Sequence, residues 1–341
     1  MREISYSRAI NEALRQALES DPTVVLMGQD IGVYGGAFSV TRGLIETFGP
    51  ERIIDTPISE AATVGMTLGM ALKGLRPMIE LQFADFIFIA MDEVVNKLGK
   101  WRYMHNYRGP LCAVIRAPIG LIPGVGAEHA QCPEAFFMHV PGLKIAVPAT
   151  PYDAKGLLLS ALRGNDPVLY FEHKGMYRMK GPVPEEAYTI PFGIAEVRRS
   201  GTDITLVATS AMVSKALAAA ETLASQGIQA EVIDPRTLAP LDSETILRSV
   251  RKTGRLVIAH ENTYTAGPGA EIAALVAEHA FDSLLGPIRR VTAPDVPAPA
   301  SHGSAQGTRV GARHRTGTSP VRPYVPDEAA IVAGALAAIK E

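Results

Sequence analysis

The feature that most constrains this chain is an alternation in which short apolar, β-branched runs trade places with segments whose apolar residues recur at helical spacing. That order builds a parallel sheet covered on both faces, because each parallel strand needs a crossover long enough to hold a helix. Strands are expected at Val24–Met27, Arg52–Ile54, Pro77–Leu81, Leu111–Arg116, Lys144–Val147 and Val168–Phe171. Ahead of them, Ile10, Leu14, Ala17 and Leu18 share one face of an opening helix, with Ser5 or Ser7 as its cap.

The stretch Gly181–Pro191 carries three prolines and no period, which marks an interdomain linker. Beyond it the alternation resumes with a strand at Ile204–Val207 and a helix that gathers Val213, Leu217, Ala220 and Ala224 on one face before Gly227. Strands at Glu231–Ile233 and Leu256–Ala259, a helix around Glu271–Glu278, a strand at Ile288–Val291 and a closing helix from Asp327 complete the pattern. A length of 341 residues suits two domains at a prior of roughly 150 residues each, here 1–180 and 196–341 with a linker over 181–195. From Val296 through Pro326 no acidic residue occurs, while Arg309, Arg313, Arg315, Arg322, His302 and His314 accumulate among Gly, Ser and Thr. This segment reads as a mobile surface loop.

Composition excludes several functions. With 33 Lys+Arg against 35 Asp+Glu the net charge is -2, so no global field draws nucleic acid or an anionic membrane surface. The two cysteines, Cys112 and Cys132, make neither a disulfide framework nor a Cys-x-x-Cys pair, and a reducing, cytoplasmic setting is expected. The first residues mix charges and lead into an amphipathic segment rather than a signal-peptide core, and no apolar run approaches the roughly 20 residues of a membrane helix. Glycine-rich dinucleotide and P-loop motifs, zinc spacings and the Gly-x-Ser-x-Gly elbow are all absent, which weakens nicotinamide, ATP, zinc and esterase readings. Gly267-Pro-Gly-Ala-Glu-Ile272 lacks a third glycine and reads as the start of a helix.

Ligands of parallel sheets collect beyond the carboxyl ends of the strands. Four residues meet that test: Gln29 in the glycine-rich loop Gly28–Gly36, Glu60 after Asp55-Thr-Pro-Ile-Ser59, Phe86 beyond Pro77–Leu81, and His129 in the long loop after Leu111–Arg116. Glu60 opens a helix in which Ala61, Gly65 and Gly69 recur every four residues, a stripe that suits a subunit or domain seam. A Glu in a first helical turn is a dipole-favoured surface charge, or, when buried, a proton carrier. His129 either titrates near neutrality or serves the structure, and Phe86 by default packs in the core.

The segments Gly28–Gly36, Asp55–Glu60, Gly74–Phe86, His129–Gln131 and Pro141–Pro148 together resemble the beta subunit of the thiamine-diphosphate-dependent first component of 2-oxo acid dehydrogenase complexes, of the pyruvate, branched-chain and acetoin type. The likeness continues through Asp153–Leu157 and Val291–Pro297. It implies an α/β fold: a thiamine-diphosphate-binding pyrimidine-type domain with a parallel sheet, then a transketolase C-terminal-type domain. It also implies an alpha-2-beta-2 heterotetramer with thiamine diphosphate at the alpha/beta seam. The Gly-Asp-Gly start of the diphosphate and magnesium motif is missing, so the alpha subunit would hold the magnesium.

By the same resemblance Glu60 would hydrogen-bond the aminopyrimidine and favour the imino tautomer that removes the thiazolium proton. Ile58 and Gln82 would line the pyrimidine pocket, and Phe86 would stack on the ring. His129 would act as acid and base in acyl transfer to a lipoyl arm of the acyltransferase core. Ala113, Ala161, Leu162, Gly164 and Asp166 would surround a structural potassium ion. Three departures qualify the likeness: Gln29 where relatives often carry a carboxylate, Gly164 where many carry Asp, and the length of the basic excursion. The activity so implied is oxidative decarboxylation of a 2-oxo acid with acyl transfer to lipoyl groups. An acetoin-cleaving subunit and a non-catalytic docking subunit are the alternatives.

Overall fold

Continuous apolar runs need burial on both faces, and a computed structural model of the chain, which describes residues 1–300 and 324–340, places them in two parallel sheets. Most of the basic excursion, 301–323, lies outside the described residues. Two compact units emerge: Met1–Ile119 with Phe136–Phe192 and Thr237–Pro240, and Gly120–Ala135 with Gly193–Arg236 and Leu241–Glu341.

In the first unit, β1 (Arg2–Ser5) precedes a helix over Tyr6–Ser20, whose apolar stripe Ile10, Leu14, Ala17 and Leu18 is buried. Of the two candidate caps, Ser5 accepts from the Arg8 N–H at 3.2 Å. The strands β2 (Val24–Gly28), β3 (Ile53–Asp55), β4 (Arg76–Glu80), β5 (Ala113–Ile119), β6 (Lys144–Ala146) and β7 (Pro167–His173) match the expected runs within a few residues. Their sheet order is β6-β7-β5-β4-β2-β3, all parallel. The chain leaves β2 for β3 on one side and then crosses to β4 on the other, so the end of β2 is a topological switch point, where such sheets open a crevice.

The Gly181–Pro191 stretch is tied down. β8 (Lys180–Val183) pairs antiparallel with β1, and Tyr188 stacks on Tyr152 with centroids 4.5 Å apart. Lys155, fully buried, donates through Nζ to Glu12 at 2.5 Å and to the carbonyls of Pro184 and Glu185 at 2.9 and 3.0 Å. The prolines rule out a long ladder, and side-chain packing onto the helix Pro151–Arg163 holds the segment instead.

The second unit carries β9 (Glu196–Arg199), β10 (Ile204–Ala208), β11 (Ala230–Asp234), β13 (Leu256–Thr263) and β14 (Arg289–Ala293) in the order β14-β13-β10-β11-β9, with only β9 antiparallel. Between β11 and β13 the chain contributes β12 (Thr237–Ala239) to the edge of the first unit's sheet, antiparallel to β6. Val207, Ile233, Ile246, Val250, Ile258, Ile272 and Val276 form the second unit's core. The Gly267-Pro-Gly motif does start a helix, Pro268–His279, and Gly269 N–H donates to the buried Nε2 of His260 at 3.1 Å. A Cβ at either glycine would strike that imidazole, so the glycines make room for a histidine. Among the described residues no helix is long and apolar enough to cross a membrane.

Thr150 caps the helix Pro151–Arg163 by accepting from Asp153 N–H at 3.1 Å. Thr150→Ala should lower stability by about 1 kcal/mol, read as a reduced urea midpoint with an unchanged denaturant slope.

Candidate functional site

Register fixes the rim on which the first unit's candidates stand. Gly28 faces Asp55 on one side and Glu80 on the other, and Thr56 N–H donates to Gly28 O at 2.9 Å, so the chain leaves β2, β3 and β4 at one level. Gln29 follows β2 directly. Glu60 comes five residues after the end of β3, at the first turn of the helix Glu60–Leu72, and its side chain is turned inward: the residue is 5% exposed. Gln29, 9% exposed, donates from Nε2 to Glu60 Oε1 at 3.3 Å. Of the two placements open to a first-turn Glu, facing water or facing the sheet, Glu60 has the buried one.

Gln82 and Phe86, both half-buried, follow β4, Phe86 on a short 3-10 turn over Ala84–Ala90. Phe86 meets Phe83 edge-on at 5.9 Å, Phe83 meets Phe38 at 5.7 Å, and Lys174 Nζ lies 5.4 Å over the Phe83 ring. Ile58, by contrast, is 80% exposed. Val33 and Tyr34 in the glycine-rich loop, Ile58 ahead of the helix and Met66 on it are exposed, and a Cβ at Gly69 would meet nothing within 4 Å. The small-residue stripe is therefore open at Ala61 and Gly69, while at Gly65 a Cβ would meet the Glu93 carboxylate at 3.3 Å. These residue types suit an aminopyrimidine chemically, since a buried carboxylate can accept a hydrogen bond from it and Phe86, beyond β4, carries an aromatic face.

His129 belongs to the second unit, in the segment Gly120–Ala135. It is half-buried, with its N–H directed at Gly126 O at 3.4 Å. Asn262, next to the end of β13, anchors this segment by donating Nδ2 to Cys132 O at 2.7 Å and to the buried Glu134 carboxylate at 2.8 Å. Nothing in the sequence distinguished Asn262 beforehand.

The five residues expected around potassium cluster where the helix Pro151–Arg163 ends and β5 begins, and their oxygens already have partners. Arg76 donates from Nη1 to Leu162 O at 3.1 Å and to Gly164 O at 2.6 Å. Cys112, preceding Ala113, directs its thiol at the carbonyls of Ala161 and Leu162 at 3.7 and 3.5 Å. The Asp166 carboxylate pairs with Lys144 at 2.6 Å and Arg102 at 3.5 Å.

A second buried charge cluster escaped the sequence reading. Arg116 in β5, with no exposed surface, donates to Glu80 at the end of β4 and to Glu172 in β7. Tyr177 O–H donates to Glu172 at 2.6 Å. Burial pushes Glu172 up to about 7 against the pull of Arg116, raises Glu80 as well, and the two carboxylates keep Arg116 firmly charged. Gly36, at φ +79°, lies so close to the Glu80 carboxylate that a Cβ there would collide with it. The signal existed: Glu80, Arg116 and Glu172 each interrupt an otherwise apolar strand.

The transketolase pyrimidine binding domain family matches residues 2–180, and the transketolase C-terminal domain family matches residues 193–308. The chain is 46% identical over 312 residues to the acetoin:2,6-dichlorophenolindophenol oxidoreductase subunit beta of Bacillus subtilis, covering 88% of this chain and 91% of that protein. It is 45% identical to the 2-oxoisovalerate dehydrogenase subunit beta of the same organism (86% and 90% covered), and 43% identical to its pyruvate dehydrogenase E1 component subunit beta (88% and 93% covered). A solved structure described as a split-gene transketolase, inactive beta4 tetramer, superposes with a TM-score of 0.78 at 23% identity, covering 99% of this chain and 98% of that one.

Because Glu172 ionises less readily folded than unfolded, the native state holds the extra proton and stability must fall as pH rises from the ordinary carboxylate range toward about 7. Glu172→Gln, which mimics the protonated acid, should flatten that fall by on the order of 1 kcal/mol or more, checked by urea unfolding at pH 5 and pH 7.5.

Proposed function

We propose, for a chain that belongs to the transketolase-type beta subunits of 2-oxo acid and acetoin dehydrogenases, that it completes a thiamine-diphosphate site with an alpha subunit and serves the oxidative decarboxylation of a 2-oxo acid with acyl transfer to lipoyl groups. The observation that carries this reading is the buried Glu60 carboxylate, held by Gln29 at the switch point of a pyrimidine-type sheet.

Bound thiamine diphosphate supplies the nucleophilic carbon and the electron sink for decarboxylation. Glu60 receives and returns the proton of the aminopyrimidine ring, in a setting where burial makes each hydrogen bond to its carboxylate stronger than in water. Gln29 fixes the orientation of that carboxylate without itself ionising. Phe86 offers an aromatic face and Gln82 a polar edge to the same ring, while Ile58 packs against it from the open side. His129 exchanges a proton during acyl transfer to the lipoyl arm.

The exposed Ile58 ahead of this helix, and the exposed Ala61, Met66 and Gly69 along it, support an alpha subunit docking there. That partner contributes the groups for the diphosphate and its magnesium. Pairs of each chain give the alpha-2-beta-2 assembly, and the acyltransferase core receives the acyl group.

Co-expression with an alpha subunit tests the proposal. The purified assembly should decarboxylate pyruvate or a branched-chain 2-oxo acid, or cleave acetoin, only when thiamine diphosphate is present. Glu60→Gln should assemble normally yet lose on the order of 10²- to 10⁴-fold in kcat. Full activity in that variant rejects the role of Glu60. Turnover of acetoin alone selects the acetoin reading, and a folded, cofactor-binding assembly that turns over none of these substrates selects the docking-subunit reading.

A further inference from the structure

The end of the helix Pro151–Arg163 is where a cation is needed, because its last carbonyls have no intrahelical donor and carry the negative end of the helix dipole. One guanidinium meets that need from within the chain. Arg76, the first residue of β4, donates through Nη1 to both Leu162 O and Gly164 O, at 3.1 and 2.6 Å. Its Nη2 faces Asn165 Oδ1 at 3.4 Å, and its Nε pairs with Asp21 Oδ2 at 3.2 Å. Hydrogen bonds from Thr23 and the charges of Arg76 and Arg52 outweigh partial burial and hold Asp21 below the usual carboxylate range.

The remaining oxygens of the turn are engaged by further cations. Arg102 donates to Asn165 O, and Asp166 is shared between Lys144 and Arg102. A guanidinium presents five donors in a rigid plane and cannot lose its charge, so it satisfies several carbonyls at once. A potassium ion in the same place would have to take the Leu162 and Gly164 oxygens from Arg76 or sit beside its positive charge, and Gly164 brings no side-chain ligand to favour the ion.

We propose that Arg76 is the built-in cation of this turn, and that segment 161–166 is held in place without a bound monovalent metal ion. The inference concerns the assembly of the sheet and stands whatever substrate the protein takes.

The test uses the full-length chain in the assembly it forms on expression, melted in KCl, NaCl and tetramethylammonium chloride at equal ionic strength. The melting temperature should agree across the three salts to about 1 °C, and Arg76→Met should lower it by about 2–4 °C in tetramethylammonium chloride, the shift that the loss of one such interaction gives in a domain of this size. A potassium-specific rise of more than about 2 °C in the unmodified protein would overturn the proposal, since an ion that binds only the folded state must raise its melting point. An Arg76→Met variant that melts with the unmodified chain would also overturn it. If that variant does not fold, the salt comparison on the unmodified protein still decides the matter.

Discussion

Arg116 occupies the centre of the first unit's sheet without a trace of solvent exposure, and the two carboxylates that neutralise it come from the strands on either side, β4 and β7. A lone guanidinium there would be prohibitively costly, and two ionised carboxylates against one cation would leave an excess negative charge. The compromise is visible in Glu172, which burial moves close to neutrality while Tyr177 donates to it. Because Glu80 Oε atoms also press against the backbone at Gly36, the same cluster sets how closely the glycine-rich loop can lie over the strand ends. Gln29 belongs to that same loop.

The switch point determines why these two side chains meet at all. Strand β2 ends between β3 and β4, so the chain diverges there and leaves a crevice that local backbone cannot fill. Glu60 reaches it from the helix that follows β3, and Gln29 from the residue after β2. Sequence distance is irrelevant to this pairing; parallel register brings the two ends to one level.

Most of the fold was legible because buried parallel strands write themselves as uninterrupted apolar runs, and the ten expected strands are present with ends displaced by a few residues. Strands β1, β8, β9 and β12 were not legible: they are short, polar or edge elements whose existence depends on a partner distant in sequence. The Gly181–Pro191 stretch shows the same limit from the other side, since prolines forbid a long ladder but say nothing about whether Tyr188 and Ile190 find a surface to pack on. Glu60 in the first unit and His129 in the second stood out by residue type and loop position. The burial of Glu60 did not, because a first-turn carboxylate has the same sequence signature facing water or facing the sheet. Asn262 and the Arg76 contacts lay beyond reach, being bonds to backbone oxygens, which no side-chain pattern encodes.

The amide at position 29 changes what the carboxylate at position 60 can do. A carboxylate in its place, at the 3.3 Å that now separates Gln29 Nε2 from Glu60 Oε1, would form a like-charged pair able to ionise only once near neutrality, with the remaining proton shared between the two. Gln29 removes that competition, because its amide donates to the carboxylate and does not itself ionise. In the role proposed for Glu60, its hydrogen-bonded neighbour in the loop therefore supplies no proton. The glycine-rich loop thus contributes geometry and a neutral donor to this corner of the sheet, and in the proposed function acid–base work there rests on Glu60 alone.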